Sequence, residues 1–310
     1  MSFENIVGNT KIKQELKNVA NSNAVSHSYL FVGEEGIGKK QIAREFAKMI
    51  LCLSQEKEKC NQCDSCIKFI SNNNPDFIEI SEDGNSIKIA QIREQEKIYQ
   101  KPIVSSKKVV IIDNSEKMTE EAQNSLLKTL EEPPEYIVII LITSNENKLL
   151  NTIKSRCLKL SFVNIDNKEM LEYIDKNQDI QKPSQSILDL SNGSIGRLIK
   201  INDNIEEYNQ VDGITKDMIN SNIRNVVKLI NQYEVLYKSK EIIFDLLDYM
   251  IAIVYSHIKK NADYRSKFIN IIGIINNAKT KLNSNTNYDM CIDEMLFKIW
   301  EEIDENNSRS

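Results

Sequence analysis

The stretch from Tyr29 to Phe46, YLFVGEEGIGKKQIAREF, constrains the chain most. Tyr29 to Val32 are apolar or aromatic and read as a short buried strand. The turn Gly33-Glu34-Glu35-Gly36-Ile37-Gly38-Lys39-Lys40 follows. Ile42, Ala43, Phe46, Ala47, Ile50 and Leu51 then recur at helical spacing, so a helix begins where the turn ends. Strand, glycine-rich loop and helix in this order make a phosphate-binding loop. The glycines let backbone N–H groups curl inward, and the helix N-terminus adds a positive dipole. Lys39 stands where such a loop places its phosphate-binding lysine.

The loop departs from the motif at its last position. A Ser or Thr hydroxyl there ligates magnesium, and this chain has Lys40. An ammonium has no lone pair for a metal, so the loop reads as able to hold phosphate and unsuited to Mg2+-assisted hydrolysis. Farther on, Val109-Val110-Ile111-Ile112-Asp113 is a continuous apolar run ending in an acid. Such a run suits a strand buried on both faces of a parallel sheet. An acid at its carboxyl end faces the ligand crevice, where Asp113 would help hold Mg2+; otherwise it caps a turn. Asn114 follows, where DExx-type ATPases carry a Glu that polarises the attacking water. A carboxamide is a poor general base.

Four of the six cysteines, Cys52, Cys60, Cys63 and Cys66, fall at C-x7-C-x2-C-x2-C spacing. Thiolates two residues apart can grip one tetrahedral zinc ion. The surrounding SQEKEKCNQCDSC is poor in core residues, so a metal would organise it. A full four-thiolate shell makes the expected zinc structural. Cys157 and Cys291 stand apart and are assigned to packing.

The rest of the chain supplies helices and strands around these features. Residues 3–24 carry Ile12, Leu16, Val19 and Ala20 at helical spacing. Phe77 to Ile80 reads as a strand, residues 87–98 as a helix, Thr119 to Glu132 as a helix capped by Thr119 and stopped by Pro133 and Pro134. Ile137 to Ile142 reads as a second fully apolar strand. Thr143-Ser144-Asn145 after it either reach a γ-phosphate or cap a turn. Residues 149–157 read as a short helix carrying Ser155-Arg156-Cys157, followed by an alternating strand, Leu158 to Phe162. Arg156 is either a surface charge or an arginine finger for a neighbouring subunit. Asn192-Gly193-Ser194-Ile195-Gly196-Arg197 starts a helix, with Arg197 facing phosphate or water. Residues 223–258 and 265–303 are helix-rich with dense apolar faces, such as Ile242 to Val254, and residues 304–310 form a polar tail.

The 310 residues allow two or three domains. A formal net charge of -5 gives no basic field to capture nucleic acid unaided, so a stand-alone DNA-binding module is disfavoured. No run of 18 apolar residues indicates a membrane span, and the first residues, MSFENIVGNTKIKQEL, do not read as a secretory signal. Two histidines, His27 and His257, leave little material for histidine catalysis.

HSYLFVGEEGIGKK, the Cys52–Cys66 module, IKIAQIRE, KKVVIIDNSEKMTEEAQNSLLKTLEEPPE, SRC, NGSIGRL and the C-terminal LNSNTNYDMCIDEMLFKIW occur in this order. In this the chain resembles the delta-prime family of bacterial DNA polymerase III clamp-loader subunits, of the AAA+ class, over nearly its whole length. The resemblance implies an α/β AAA+ P-loop domain at 1–163, a parallel sheet with helices on both faces and the zinc module inserted at about 52–66. A small helical lid at 164–207 and an all-α helical collar at 208–310 follow. It implies a hetero-pentameric ring with gamma/tau and delta subunits that opens the sliding clamp and places it on primer-template DNA in the bacterial cytoplasm. It implies a degenerate nucleotide site of Gly33, Gly36, Gly38, Lys39, Lys40, Asp113, Asn114, Thr143, Asn145 and Arg197. It also implies that Arg156 acts in trans on a neighbour's ATP. Lys40 and Asn114 favour a non-hydrolysing delta-prime chain over gamma or tau, which would carry Ser/Thr and Glu there. The alternative is an active, gamma/tau-like ATPase subunit.

Overall fold

The computed structural model describes residues 3–22, 24–55, 57, 60–93, 100–177, 180, 183–219, 233–260, 265–284 and 287–307. Five short strands form one sheet: β1 (Ser28–Val32), β2 (Phe77–Ile80), β3 (Lys108–Ile112), β4 (Ile137–Thr143) and β5 (Leu158–Ser161). Their order is β2-β3-β4-β1-β5, and every neighbouring pair is parallel. β3 and β4 are buried along their whole length, as strands with both faces covered must be. The expected α/β class, a P-loop parallel sheet with helices on both faces followed by a helical region, is the architecture observed.

Alternation along the strands divides the core between the two faces. Tyr29, Phe31, Val109, Ile111, Val138 and Ile140 pack with α1 (Thr10–Ser22) and α2 (Lys39–Leu51). Leu30, Ile78, Val110, Ile112, Ile139 and Leu141 pack on the other face with Ala122, Leu126 and Leu130 of α5 (Glu120–Glu131) and Ile153 of α6 (Asn151–Lys154). Between these lie α3 (Asp64–Ile70) and α4 (Ile89–Arg93). Thr119 caps α5 as expected, its side chain accepting from the Ala122 N–H at 3.3 Å. In the register, Val32 lies beside Thr143, and Ile112 beside both Ile80 and Leu141. Gly33, Asp113 and Ser144 therefore leave the sheet along one edge.

Several local expectations differ from the structure. The first helix starts at Thr10, after a 3-10 turn at Phe3–Asn5. Ile87 is no helical residue; it makes a parallel bridge to Met118, and α4 begins at Ile89. Positions 94–98 of the expected helix lie outside the described residues. Helix α6 ends at Lys154, so Ser155-Arg156-Cys157 form the turn after it. In β5, Leu158 is 46% exposed although the alternation assigns it inward. β5 is one of the sheet's two edge strands, where one face need not be covered.

Contacts divide the chain into two units, Met1–Asn177 with Gly193–Arg197, and Gln178–Asn192 with Leu198–Ser310. The first holds α7 (Asn167–Lys176) as well as the sheet and its helices. The second holds α8 (Gln185–Ser191), most of α9 (Ile195–Asp203), α10 (Ile205–Ile219), α11 (Glu234–Lys238), α12 (Ile243–Lys260), α13 (Arg265–Leu282) and α14 (Tyr288–Asn307). The apolar face expected on α12 is buried at Ile243, Leu246, Leu247, Tyr249, Met250, Ile253 and Val254. Residues 223–232 of the expected helices lie outside the described residues. Helix α14 runs to Asn307, into the segment expected as a polar tail, and 308–310 lie outside the description. No helix among the described residues is long and apolar enough to cross a membrane.

Candidate functional site

The glycine-rich turn leaves β1 with the Gly33 N–H donating to the Thr143 carbonyl at 3.2 Å. Gly36 and Gly38 take φ of 78° and 91°, values at which a Cβ is strained. Lys39 is 6% exposed and donates through Nζ to the Gly33 and Glu34 carbonyls, both at 2.6 Å. Burial lowers its pKa, against the charges of Glu116, Asp113, Glu35 and Glu34. Lys39 thus ties the loop to itself.

Lys40 sits where the magnesium-ligating hydroxyl would be, and its Nζ lies 2.8 Å from Glu79 Oε1 and 3.0 Å from Asp113 Oδ2. Glu79 also pairs with Arg44 of α2. Arg44 is held over the rings of Phe69 and Phe77, 5.8 and 5.4 Å from their centroids, and donates to Asn72 at 2.8 Å. Burial pulls the Lys40 pKa down, but the hydrogen bonds to Glu79 and Asp113 outweigh it and the value stands above the ordinary lysine range. An ammonium therefore bridges two carboxylates at the place where a divalent ion would. Asp113 is where the sequence puts it. Glu79 and Arg44 were missed; the available signal was an acid inside the short strand FIEI, facing the loop's helix.

Asn114 takes a left-handed conformation, φ 48°, and donates through Nδ2 to Glu82 at 3.1 and 3.2 Å. Glu82 also receives Lys117 at 2.6 Å. Thr143 is fully buried, and its Oγ1 accepts from the Asn145 N–H at 3.0 Å. The Asn145 side chain accepts from the Asn147 N–H at 3.2 Å. The Ser144 hydroxyl and N–H both donate to Glu116, a residue the sequence reading also missed. Thr143 and Asn145 thus make local caps at the end of β4, while Ser144 ties that turn to Glu116.

The Gly193–Arg197 segment buttresses the loop. The Gly196 N–H donates to the Gly36 carbonyl at 2.9 Å, and Ser194 Oγ donates to the Glu35 carbonyl at 2.9 Å. A Cβ on Gly196 would lie 2.8 Å from the Gly36 Cα. The Arg197 backbone N–H donates to Ser194 Oγ at 3.1 Å.

Arg156 lies on the turn between α6 and β5. Its carbonyl accepts from the buried Ser28 hydroxyl at 2.6 Å, which fixes the backbone. Its guanidinium donates to the Thr152 carbonyl at 2.9 Å and pairs with Glu131 at 2.8 Å.

Cys52 follows α2 directly, its N–H donating to Met49 O, and Cys63 caps α3 by accepting from the Cys66 N–H at 3.4 Å. The Sγ atoms of Cys52, Cys60, Cys63 and Cys66 all lie within 4.8 Å of one another. The Cys52–Cys63 separation is 3.9 Å, and none of these cysteines is in a disulfide. Tetrahedral thiolates about 2.3 Å from one ion lie about 3.8 Å apart. The set can therefore hold a metal ion. Backbone N–H groups of Gln62 and Cys63 bring the Cys60 pKa down to about 6, whereas burial pushes Cys52 up to about 11 and raises Cys66 further. Cys291 is buried and Cys157 half-buried, in keeping with packing.

Fold and site together define a parallel α/β protein with a glycine-rich loop between β1 and α2, in which Lys40 bridges Glu79 and Asp113. Residues 8–166 match the model of the family described as DNA polymerase III, delta subunit. The chain belongs to this family, within the clamp-loader proteins. It is 33% identical over 231 residues to the DNA polymerase III subunit delta' of Bacillus subtilis, across 74% of this chain and 65% of that one. It is 33% identical over 218 residues to the gamma/tau subunit of Mycoplasma pneumoniae, across 67% of this chain and 31% of that one. The match thus spans less than two thirds of either relative. A gamma subunit-related protein of Thermotoga maritima gives a TM-score of 0.45 at 18% identity, covering 93% of this chain and 99% of that one.

Proposed function

We propose that the chain is a non-hydrolysing subunit of a DNA polymerase III-type clamp loader, acting in the cytoplasm in a ring with gamma/tau and delta subunits. In this reading it helps open the sliding clamp and place it on primer-template DNA. The observation that carries the non-hydrolysing role is the Lys40 ammonium between Glu79 and Asp113. With Arg44 on Glu79 it balances the two carboxylates without a metal, and Asn114 offers no base for water. Lys39, held by the Gly33 and Glu34 carbonyls, must exchange both bonds before it can reach a phosphate.

In this proposal Arg156 is the chain's contribution to catalysis, in a neighbouring subunit's site. Its ion pair with Glu131 is half-exposed, and such pairs are worth about 0–1 kcal/mol. A phosphate recruits the guanidinium at little cost, while the Ser28 bond holds the backbone still. The cysteine set is read as a structural zinc site, closed by four thiolates. The division into an AAA+ domain at 1–163, a lid at 164–207 and a collar at 208–310 belongs to the same reading.

The retained Gly36, Gly38, Lys39 and Asp113 favour a second reading, an active gamma/tau-like ATPase subunit. Calorimetric titration of the purified chain with ATP, with and without Mg2+, separates the two. The non-hydrolysing reading expects Mg2+ to make no difference to any heat observed. Strongly Mg2+-dependent binding favours the second.

A further inference from the structure

Helix α2 carries a buried ion pair in its last turns, far from the phosphate loop at its start. Lys48 is 2% exposed and Glu45 6%, and Lys48 Nζ lies 2.8 Å from Glu45 Oε2. A lysine is rarely buried so completely unless it is paired, and a buried ion pair is weak evidence for stability because both ions lose their hydration. The ammonium also donates to Asn61 Oδ1 at 3.2 Å. Asn61 is the residue after Cys60, is itself exposed, and takes φ of 41°. That left-handed residue starts the turn that carries the chain from Cys60 to Cys63. The N–H groups of Gln62 and Cys63, just past it, are those that donate to the Cys60 sulfur.

We propose that Lys48 is a positioning residue for the metal module. From the core of the phosphate-loop domain it holds the Asn61 side chain, and so the Cys60–Cys63 turn, in the conformation that aims both sulfurs at one ion. The Lys48 charge is already balanced by Glu45, so its effect on the metal site runs through the hydrogen bond to Asn61. Helix α2 thereby supports a metal centre at one end and the phosphate loop at the other. Hydrogen-bond partners that orient a metal's ligands are commonly worth ten- to a hundredfold in metal affinity.

The inference rests on the zinc reading, and the test separates the two. The full chain and its Lys48→Met, Lys48→Arg, Asn61→Gly and double Lys48→Met/Asn61→Gly variants are titrated with zinc against a chromophoric chelator, and with cobalt(II) for its d–d bands. Glycine tolerates the left-handed turn and removes the acceptor. Lys48→Met and Asn61→Gly are expected to bind zinc roughly ten- to a hundredfold more weakly with shifted cobalt bands. The double variant is expected to be no weaker than the worse single one, and Lys48→Arg to recover part of the loss. Native affinity and native cobalt bands in both single variants overturn the inference, whatever Lys48→Met does to thermal stability. If Lys48→Met does not fold, Asn61→Gly decides alone. A native chain that binds no zinc overturns the metal reading and this inference together.

Discussion

In the proposed reading, Lys40 decides the chemistry of the glycine-rich loop. It is 44% exposed, so its pairs with Glu79 and Asp113 add little to stability, on the order of 1 kcal/mol or less. Its effect is on what else can bind there. Removing the ammonium leaves two carboxylates facing one gap, with only Glu79 still paired to Arg44. Lys40→Ser is therefore expected to acquire a Mn2+ site, read by electron paramagnetic resonance, that the native chain lacks at the same concentrations. Equal Mn2+ binding by both proteins contradicts the assignment. A second residue-scale prediction concerns Glu82, whose carboxyl is held at about 2, chiefly by Lys117, against an ordinary 4.5. A depressed carboxyl stabilises the fold above its unfolded pKa, and that contribution is lost as pH falls from about 4.5 towards 2. Urea midpoints of Glu82→Gln are expected to fall less than native ones across that window.

At the scale of elements, the loop is held by a glycine pair from distant parts of the chain. A Cβ on Gly196 would meet the Gly36 Cα at 2.8 Å and its carbonyl oxygen at 3.2 Å, both backbone atoms that cannot swing aside. Gly196→Ala is expected to cost about 1–3 kcal/mol, the usual range for overpacking, measured as a lower urea midpoint; an unchanged midpoint contradicts the contact. This contact was not legible in the sequence, because nothing local to NGSIGR says what lies against it. The strands and loop were legible for the opposite reason. VVII and YLFV can only be buried, and G-x-x-x-x-G-K dictates its own turn. The errors fell where tertiary context overrode local pattern. Ile87 left its helical spacing to bridge Met118, and Leu158 kept its alternation on an edge that leaves it exposed. The Lys40 mismatch was visible as a missing hydroxyl. What the ammonium does instead needed Glu79, from another strand. The cysteine cluster was legible as a set from its spacing, and the fold brings its four sulfurs within 4.8 Å of one another.

At the scale of the molecule, the proposed role is to serve a site this chain does not own. Arg156 is expected to matter only in assembly. In a loader reconstituted with gamma/tau and delta subunits, Arg156→Ala is expected to lower ATP turnover at least tenfold while the complex still forms; arginine fingers supply factors of about 10³–10⁵ at a single site. Arg156→Lys is not expected to restore it, since a point charge lacks the planar fork. Undiminished turnover contradicts the role. The central claim, that this P-loop no longer performs its own chemistry, is tested most directly by phosphate release from the purified chain with ATP and Mg2+, beside its Lys39→Ala variant. The account predicts release indistinguishable from the blank for both. Steady release by the native chain that Lys39→Ala abolishes would contradict it.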